Sequence, residues 1–299
     1  MNFEFSEEQQ MLRDQARSYL TQHCPTTLVR RVLNNRETHD ADLYKGIAEM
    51  GWTATTIPEE YGGLGMSYLE LVVIAEELGR ACAPVPFSST VYLAAEAIMA
   101  LGTEAQKQAW LPKFADGTAI GCFAMGEAGG RVTPDQMSTR MQDGVLNGTK
   151  VPVADGGIAS VAIVVCASDK GDGASLALVD LSQDAVSKDS VGVIVGSRGY
   201  SELVFDRACA GTFGEEGAGW TAVESLMNTA AVLFAWEQIG IADKALEQAR
   251  EYALGRFAFG RSIASYQAIK HKLAKMYVKN TLARSNAYYG AWALNAKAS

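Results

Sequence analysis

Arg250-Glu-Tyr-Ala-Leu-Gly-Arg256-Phe-Ala-Phe259-Gly260-Arg261-Ser-Ile-Ala-Ser-Tyr-Gln267-Ala-Ile-Lys-His271 is the tract that decides how this chain reads. Apolar residues run into it at helical spacing. Leu226, Met227, Ala230, Leu233, Ile239, Ala242, Leu246 and Ala249 predict one long helix over roughly 218–254. Phe259-Gly260 interrupts the run, and a second long helix is predicted over roughly 262–297. Two helices cannot bury such broad apolar faces against each other alone. They need further helices, from this chain or from a partner.

Upstream, Gly214-Glu-Glu-Gly-Ala-Gly219 marks a boundary. Before it, from about 118 to 213, the period changes. Ile120–Met125, Val161–Cys166, Leu176–Val179 and Glu202–Phe205 alternate with Gly, Asp, Asn and Ser, and read as strands of a small antiparallel unit. Asp143-Gly144 and Asn147-Gly148 read as turns. Residues 1 to about 117 read as helices. Ser6-Glu-Glu-Gln9, Ser67-Tyr-Leu-Glu70 and Thr103-Glu-Ala-Gln106 are capping boxes, in which a hydroxyl and a carboxylate or amide satisfy the first free amides of a helix. Met11, Leu12, Ala16, Tyr19 and Leu20 predict one buried stripe, and Leu71, Ile74, Ala75 and Leu78 another. The fold class is therefore α+β. An N-terminal helical domain (1–117) is followed by a middle antiparallel β-barrel or sandwich (118–213), then by a C-terminal helical domain of two long helices (214–299).

Composition narrows function. A net charge of −8 argues against sequence-independent binding of nucleic acid, which needs basic surface. No run of about 18 apolar residues suggests a membrane span, and the N-terminus lacks a signal-peptide pattern. Five scattered cysteines (24, 82, 122, 166, 209) show no metal or redox spacing and read as buried free thiols in a reducing cytoplasm. Three distant histidines make a metal site unexpected.

The quoted tract resembles the signature in the C-terminal helical domain of acyl-CoA dehydrogenases. Ile57-Pro-Glu-Glu-Tyr-Gly-Gly-Leu-Gly65, Glu76-Glu-Leu-Gly79, Gln108-Ala-Trp-Leu-Pro112 and Leu146-Asn-Gly-Thr-Lys150 extend the resemblance in order and at family spacing. The details look most like small or partner subunits of heteromeric enzymes acting on bulky or dicarboxylic acyl-CoA esters, such as those of steroid side-chain degradation. The resemblance implies FAD as cofactor, an acyl-CoA substrate, a homo- or hetero-oligomer, and electron-transferring flavoprotein as acceptor. It implies that Arg256, Phe259 and Gln267 hold the flavin of a neighbouring subunit. A guanidinium suits the pyrophosphate because it offers a rigid two-point donor. Read from the residues alone, Arg256 equally suits a helix C-terminus, and Phe259 a hinge in the core.

Elsewhere the chain departs from the family pattern. In Met125-Gly126-Glu127-Ala128-Gly129-Gly130-Arg131-Val132-Thr133-Pro134 the resemblance aligns Met125 and Gly126 with flavin contacts, but Gly126 stands where the family has threonine. In Val151-Pro152-Val153-Ala154, Pro152 replaces a tryptophan that covers the flavin ring, and Ala154 replaces a hydroxyl residue. The position of one family branch's catalytic glutamate is Ala230, and the other branch's Glu-Gly segment would lie beyond Ser299. Glu237, seven residues after Ala230 and on the same helix face, is the candidate base. Its alternative is a carboxylate satisfied inside a helix bundle or at a subunit contact. Three readings stay open: an enzyme subunit with its own flavin, a non-catalytic partner completing a competent homologue's flavin site, and an acyl-CoA-binding structural subunit.

Overall fold

The computed structural model describes residues 4–35, 37–130, 132–194 and 196–296. Its helices are α1 (Glu7–His23), α2 (Thr26–Asn35), α3 (Ala41–Glu49), α4 (Tyr68–Ala81), α5 (Glu96–Leu101), α6 (Glu104–Ala115), α7 (Gly219–Gly255) and α8 (Gln267–Ala296). A π-helical stretch, Ser88–Ala95, leads directly into α5. Its strands are β1 (Gly121–Ala124), β2 (Arg140–Gln142), β3 (Val145–Ala154), β4 (Val161–Ala167), β5 (Ala174–Asp180), β6 (Val186–Ser190), β7 (Tyr200–Cys209), β8 (Gly211–Phe213), β9 (Phe257–Ala258) and β10 (Arg261–Ser262). All three capping boxes form, opening α1, α4 and α6. The order of helices, antiparallel-rich sheet and helices is the expected one.

By contact the described residues gather into two units. One holds the chain up to Thr26, then Ser67–Ala83, then everything from Ala231. It is built of α1, α4, most of α7, the β9–β10 hairpin and α8. Leu71, Ile74, Ala75 and Leu78 are buried as their spacing predicts, and so are Ala16 and Leu20 on α1. Met11 departs from its expected stripe and is 72% exposed.

The other unit holds Thr27–Met66 and Pro84–Ala230. Its sheet runs β6-β7-β3-β2-β4-β5-β8, with β1 beside β4. The path ends at β6 on one side and β8 on the other, so the expected barrel is not closed among the described residues. Nor is the sheet wholly antiparallel, because β1 and β2 both pair with β4 in parallel. β1 reaches β4 only by way of the β2–β3 hairpin, and a long connection of that kind permits parallel pairing. β4 is buried along its whole length, which is why it reads as an unbroken apolar run rather than an alternating one.

Asp143-Gly144 makes the predicted two-residue turn between β2 and β3, with φ of 50° and 76°. Asn147-Gly148 does not turn the chain. It lies inside β3 at a shift of register against β7, where the Asn147 side chain accepts a hydrogen bond from the Arg207 amide. A bulge and a turn share the same local chemistry, and tertiary pairing chose between them. Cys24, Cys122 and Cys166 are buried and outside any disulfide, whereas Cys82 and Cys209, also unbridged, are exposed. No described helix is long and apolar enough to cross a membrane. Among the described residues no His, Cys, Asp and Glu cluster could hold a metal ion.

Candidate functional site

The Arg-x-x-Phe-Gly tract is a β-hairpin rather than a bare helix-to-helix turn, so α8 opens at Gln267 and not near residue 262. β9 and β10 pair through Arg261↔Ala258 and Ser262↔Phe257. Phe259 and Gly260, with φ of 52° and 76°, form the two-residue turn whose twist suits a tight hairpin. Phe259 is an unusual occupant, because a bulky residue in the left-handed region is strained by about 1 kcal/mol or more. It is also 97% exposed.

The hairpin holds itself. The Ile263 amide donates to the Arg256 carbonyl at 2.8 Å, and the Tyr266 hydroxyl to the Ala258 carbonyl at 2.9 Å. Ser262 Oγ donates to the Ala253 carbonyl at 2.8 Å, and the Arg261 guanidinium lies 4.1 Å over the Tyr266 ring. Arg256, Phe259 and Gln267 are thus gathered on one braced element, all three exposed.

Met125 and Gly126 lie in the sheet unit, just after β1. Arg131 of the same tract lies outside the described residues. The Gly126 carbonyl accepts from the Val151 amide at 2.9 Å, and the Met125 carbonyl from Lys150 Nζ at 3.1 Å. Lys150 is fully buried and also donates to Glu127 Oε1 at 2.8 Å. Glu127 accepts in addition from the Ser138 amide and hydroxyl, at 2.8 and 2.7 Å, and from the Thr139 amide at 3.1 Å.

Partial burial alone would raise the Glu127 carboxyl, but Lys150, Ser138 and Thr139 outweigh it and hold the pKa at about 2. The ordinary value is 4.5. A carboxylate depressed in the fold stabilises it fully above its unfolded pKa and loses that contribution as pH falls through its folded pKa. The sheet unit is therefore expected to lose stability between pH 4.5 and about 2. Glu127→Gln should flatten acid denaturation in that window when followed by circular dichroism. An unchanged acid limb would dismiss the pair as the cause.

Glu237 is 6% exposed, in the part of α7 that crosses α4. The crossing is unusually close and reciprocal. A Cβ on Gly79 would lie 2.1 Å from the Glu237 carbonyl oxygen, and one on Gly240 would lie 1.9 Å from that of Glu76. Each helix thus offers a Glu-x-x-Gly turn whose glycine receives the other's backbone. Beside it, Glu76 takes both Arg284 nitrogens at 2.8 Å and Arg13 at 3.3 Å. Arg284 also bonds Asp243, which accepts from Asn280 at 3.0 Å. Burial alone would lower the Arg284 pKa, but Glu76 and Asp243 outweigh it and raise it.

Sequence reading missed Lys150, Glu127, Glu76 and Arg284 as partners. Lys150 left one signal, since it occupies a core-facing position of β3 together with Leu146 and Val153.

Comparison with known proteins gives this architecture its class. Residues 6–118 match "Acyl-CoA dehydrogenase, N-terminal domain", and residues 217–299 match "Acyl-CoA dehydrogenase, C-terminal domain". The bovine (Bos taurus) mitochondrial short-chain specific acyl-CoA dehydrogenase is 31% identical over 91% of this chain and 69% of its own length. A solved structure described as the Tcur3481-Tcur3483 steroid ACAD G363A variant is similar with a TM-score of 0.84 and 29% identity, covering 96% of this chain and 78% of that one. The ChsE4-ChsE5 complex from Mycobacterium tuberculosis is similar with a TM-score of 0.86 and 26% identity, covering 98% and 79%. The chain belongs to the acyl-CoA dehydrogenase family, whose members are FAD-dependent oxidoreductases.

The two places that the sequence pointed to differ in what they could offer FAD. The hairpin offers a guanidinium, an aromatic ring and an amide, all exposed and braced. The sheet side offers Gly126, Pro152 and Ala154, and a Cβ at Gly126 would strike the Val151 backbone.

Proposed function

We propose that this chain is a subunit of a heteromeric acyl-CoA dehydrogenase and lends Arg256, Phe259 and Gln267 to the FAD of a competent neighbouring subunit. The observation that carries this reading is a contrast: the self-braced hairpin presents three exposed side chains of the kind that could hold a flavin, whereas Gly126, Pro152 and Ala154 in the sheet unit offer neither a ring nor a hydroxyl. When bound, the flavin supplies the two-electron oxidant for α,β-desaturation of an acyl-CoA thioester. The part of this chain is placement. Arg256 would grip the pyrophosphate at two points, Phe259 would pack against an apolar edge, and Gln267 would hydrogen-bond.

In this reading the base that removes the α proton comes from the neighbour. Glu237 is then a structural carboxylate at the α4–α7 crossing. The likeness to a steroid enzyme and to a two-component complex supports a bulky acyl group and a related partner. Electron-transferring flavoprotein is the acceptor we assign.

The test is the visible absorption spectrum of the purified chain, alone and co-purified with a longer homologue. Flavin in the complex only is the expected result, whereas flavin on the chain alone would mean it has a site of its own. Arg256→Ala should weaken flavin retention by the complex about tenfold or more, the worth of a charged hydrogen-bond pair. The melting temperature of this chain should not change, because Arg256 is exposed. Unaltered flavin content would remove Arg256 from the pyrophosphate.

A further inference from the structure

Backbone conformation does not require glycine at position 126. Its φ lies outside the left-handed region, so any residue could adopt it. Alanine at such a position ordinarily stabilises a fold, by narrowing the unfolded ensemble. What the position lacks is room. A Cβ there would lie 2.9 Å from the Val151 carbonyl oxygen, 3.4 Å from the carbonyl carbon and 3.7 Å from Pro152 Cδ. Two of these atoms are backbone and cannot rotate away.

The approach is also bolted in place. Met125, Gly126 and Glu127 each bond to Lys150 or Val151, through Met125 O, Gly126 O and the Glu127 carboxylate. Glu127 is held from its other side by Ser138 and Thr139. Moving residue 126 outward would break contacts to a fully buried lysine.

We infer that Gly126 is a glycine enforced by packing: the tight seating of residues 125–127 on Lys150–Val151 excludes a β-branched side chain, so this chain does not accept there the threonine that the family pattern carries. The position is closed by backbone, not merely short of one oxygen. Restoring threonine at 126 alone does not open it. This deepens the lending reading and rests on it for its functional consequence, while its structural content stands separately.

The experiment uses the full chain with Gly126→Ala, Gly126→Thr and, as a control, Gly192→Ala, where a Cβ meets nothing within 4 Å and φ is ordinary. Thermal melting and titration with free FAD, read by flavin fluorescence, are measured for each. Gly126→Ala should lower Tm by about 4 °C or more, while Gly192→Ala leaves it level or slightly higher. Gly126→Thr should fall further and gain no FAD binding. If Gly126→Thr fails to fold, the alanine variant decides. A Tm for Gly126→Ala at or above wild type overturns the inference. So does a stable Gly126→Thr that binds FAD about tenfold tighter than wild type. Tight FAD binding by the unaltered chain would instead overturn the lending reading, and the melting pair would then judge Gly126 on its own.

Discussion

Gly240→Ala should cripple the helical unit, lowering its stability by about 3 kcal/mol or more. In an ordinary helix interior the same change would help by about 1 kcal/mol, because alanine is the better helix former. Here the added methyl would sit 1.9 Å from the Glu76 carbonyl oxygen and 2.8 Å from the Arg80 amide nitrogen. Neither atom can leave without parting α4 from α7. Gly79→Ala should act alike, meeting the Glu237 carbonyl oxygen at 2.1 Å. The double variant should lose less than the sum, since helices parted by the first methyl leave room for the second. Gly255→Ala, where a Cβ meets nothing within 4 Å, is the control and should be neutral or mildly stabilising. Helical circular dichroism on heating reads all four. A Gly240→Ala variant that melts no lower than wild type would mean the helices do not approach this closely in solution.

Glu76→Gln should have the second largest effect, a loss of about 3 kcal/mol, or a fall in Tm of roughly 10 °C. The Glu76 side chain is 5% exposed and is the shared acceptor of Arg284 and Arg13, themselves 31% and 16% exposed. Removing its charge leaves two partly buried cations with Asp243 alone to answer Arg284. Breaking a buried pair from one side costs far more than the pair contributes, because the remaining charge keeps its desolvation penalty. Lys45→Ala is the useful contrast. Its ion pair with Glu49 spans two side chains 77% and 68% exposed, and such a pair is worth little. Equal losses from the two substitutions would deny Glu76 a special place.

The legible parts of this fold were local. A capping box is written within four residues, so the starts of α1, α4 and α6 could be read directly, as could the Asp143-Gly144 turn. The Arg256–Gln267 tract was legible as a junction, but its geometry was not. Whether Phe259-Gly260 ends a helix or turns a hairpin depends on the Tyr266 hydroxyl and on Ser262 reaching back to Ala253. The candidate flavin residues came from pattern. What the sequence concealed is close packing around glycines. Nothing in the sequence shows the Val151 carbonyl oxygen 2.9 Å from where a Cβ of residue 126 would stand. Gly79 and Gly240 lie far apart in the chain and acquire meaning only as a pair. The π-helical stretch at Ser88–Ala95 left no periodic signal, since one extra residue per turn is invisible in so short a run.

The spread of Glu76's partners along the chain bears on how the protein is made. Arg13 is 63 residues from Glu76 and precedes it, whereas Arg284 is 208 residues further on. At ordinary ribosomal speeds those residues take on the order of 10–40 s to appear. During that interval α1 and α4 can meet, with Arg13 and Arg17 already facing Glu76 and Glu77. The second cation of the Glu76 carboxylate arrives only with α8, so the helical unit is expected to complete its packing only after α8 has emerged.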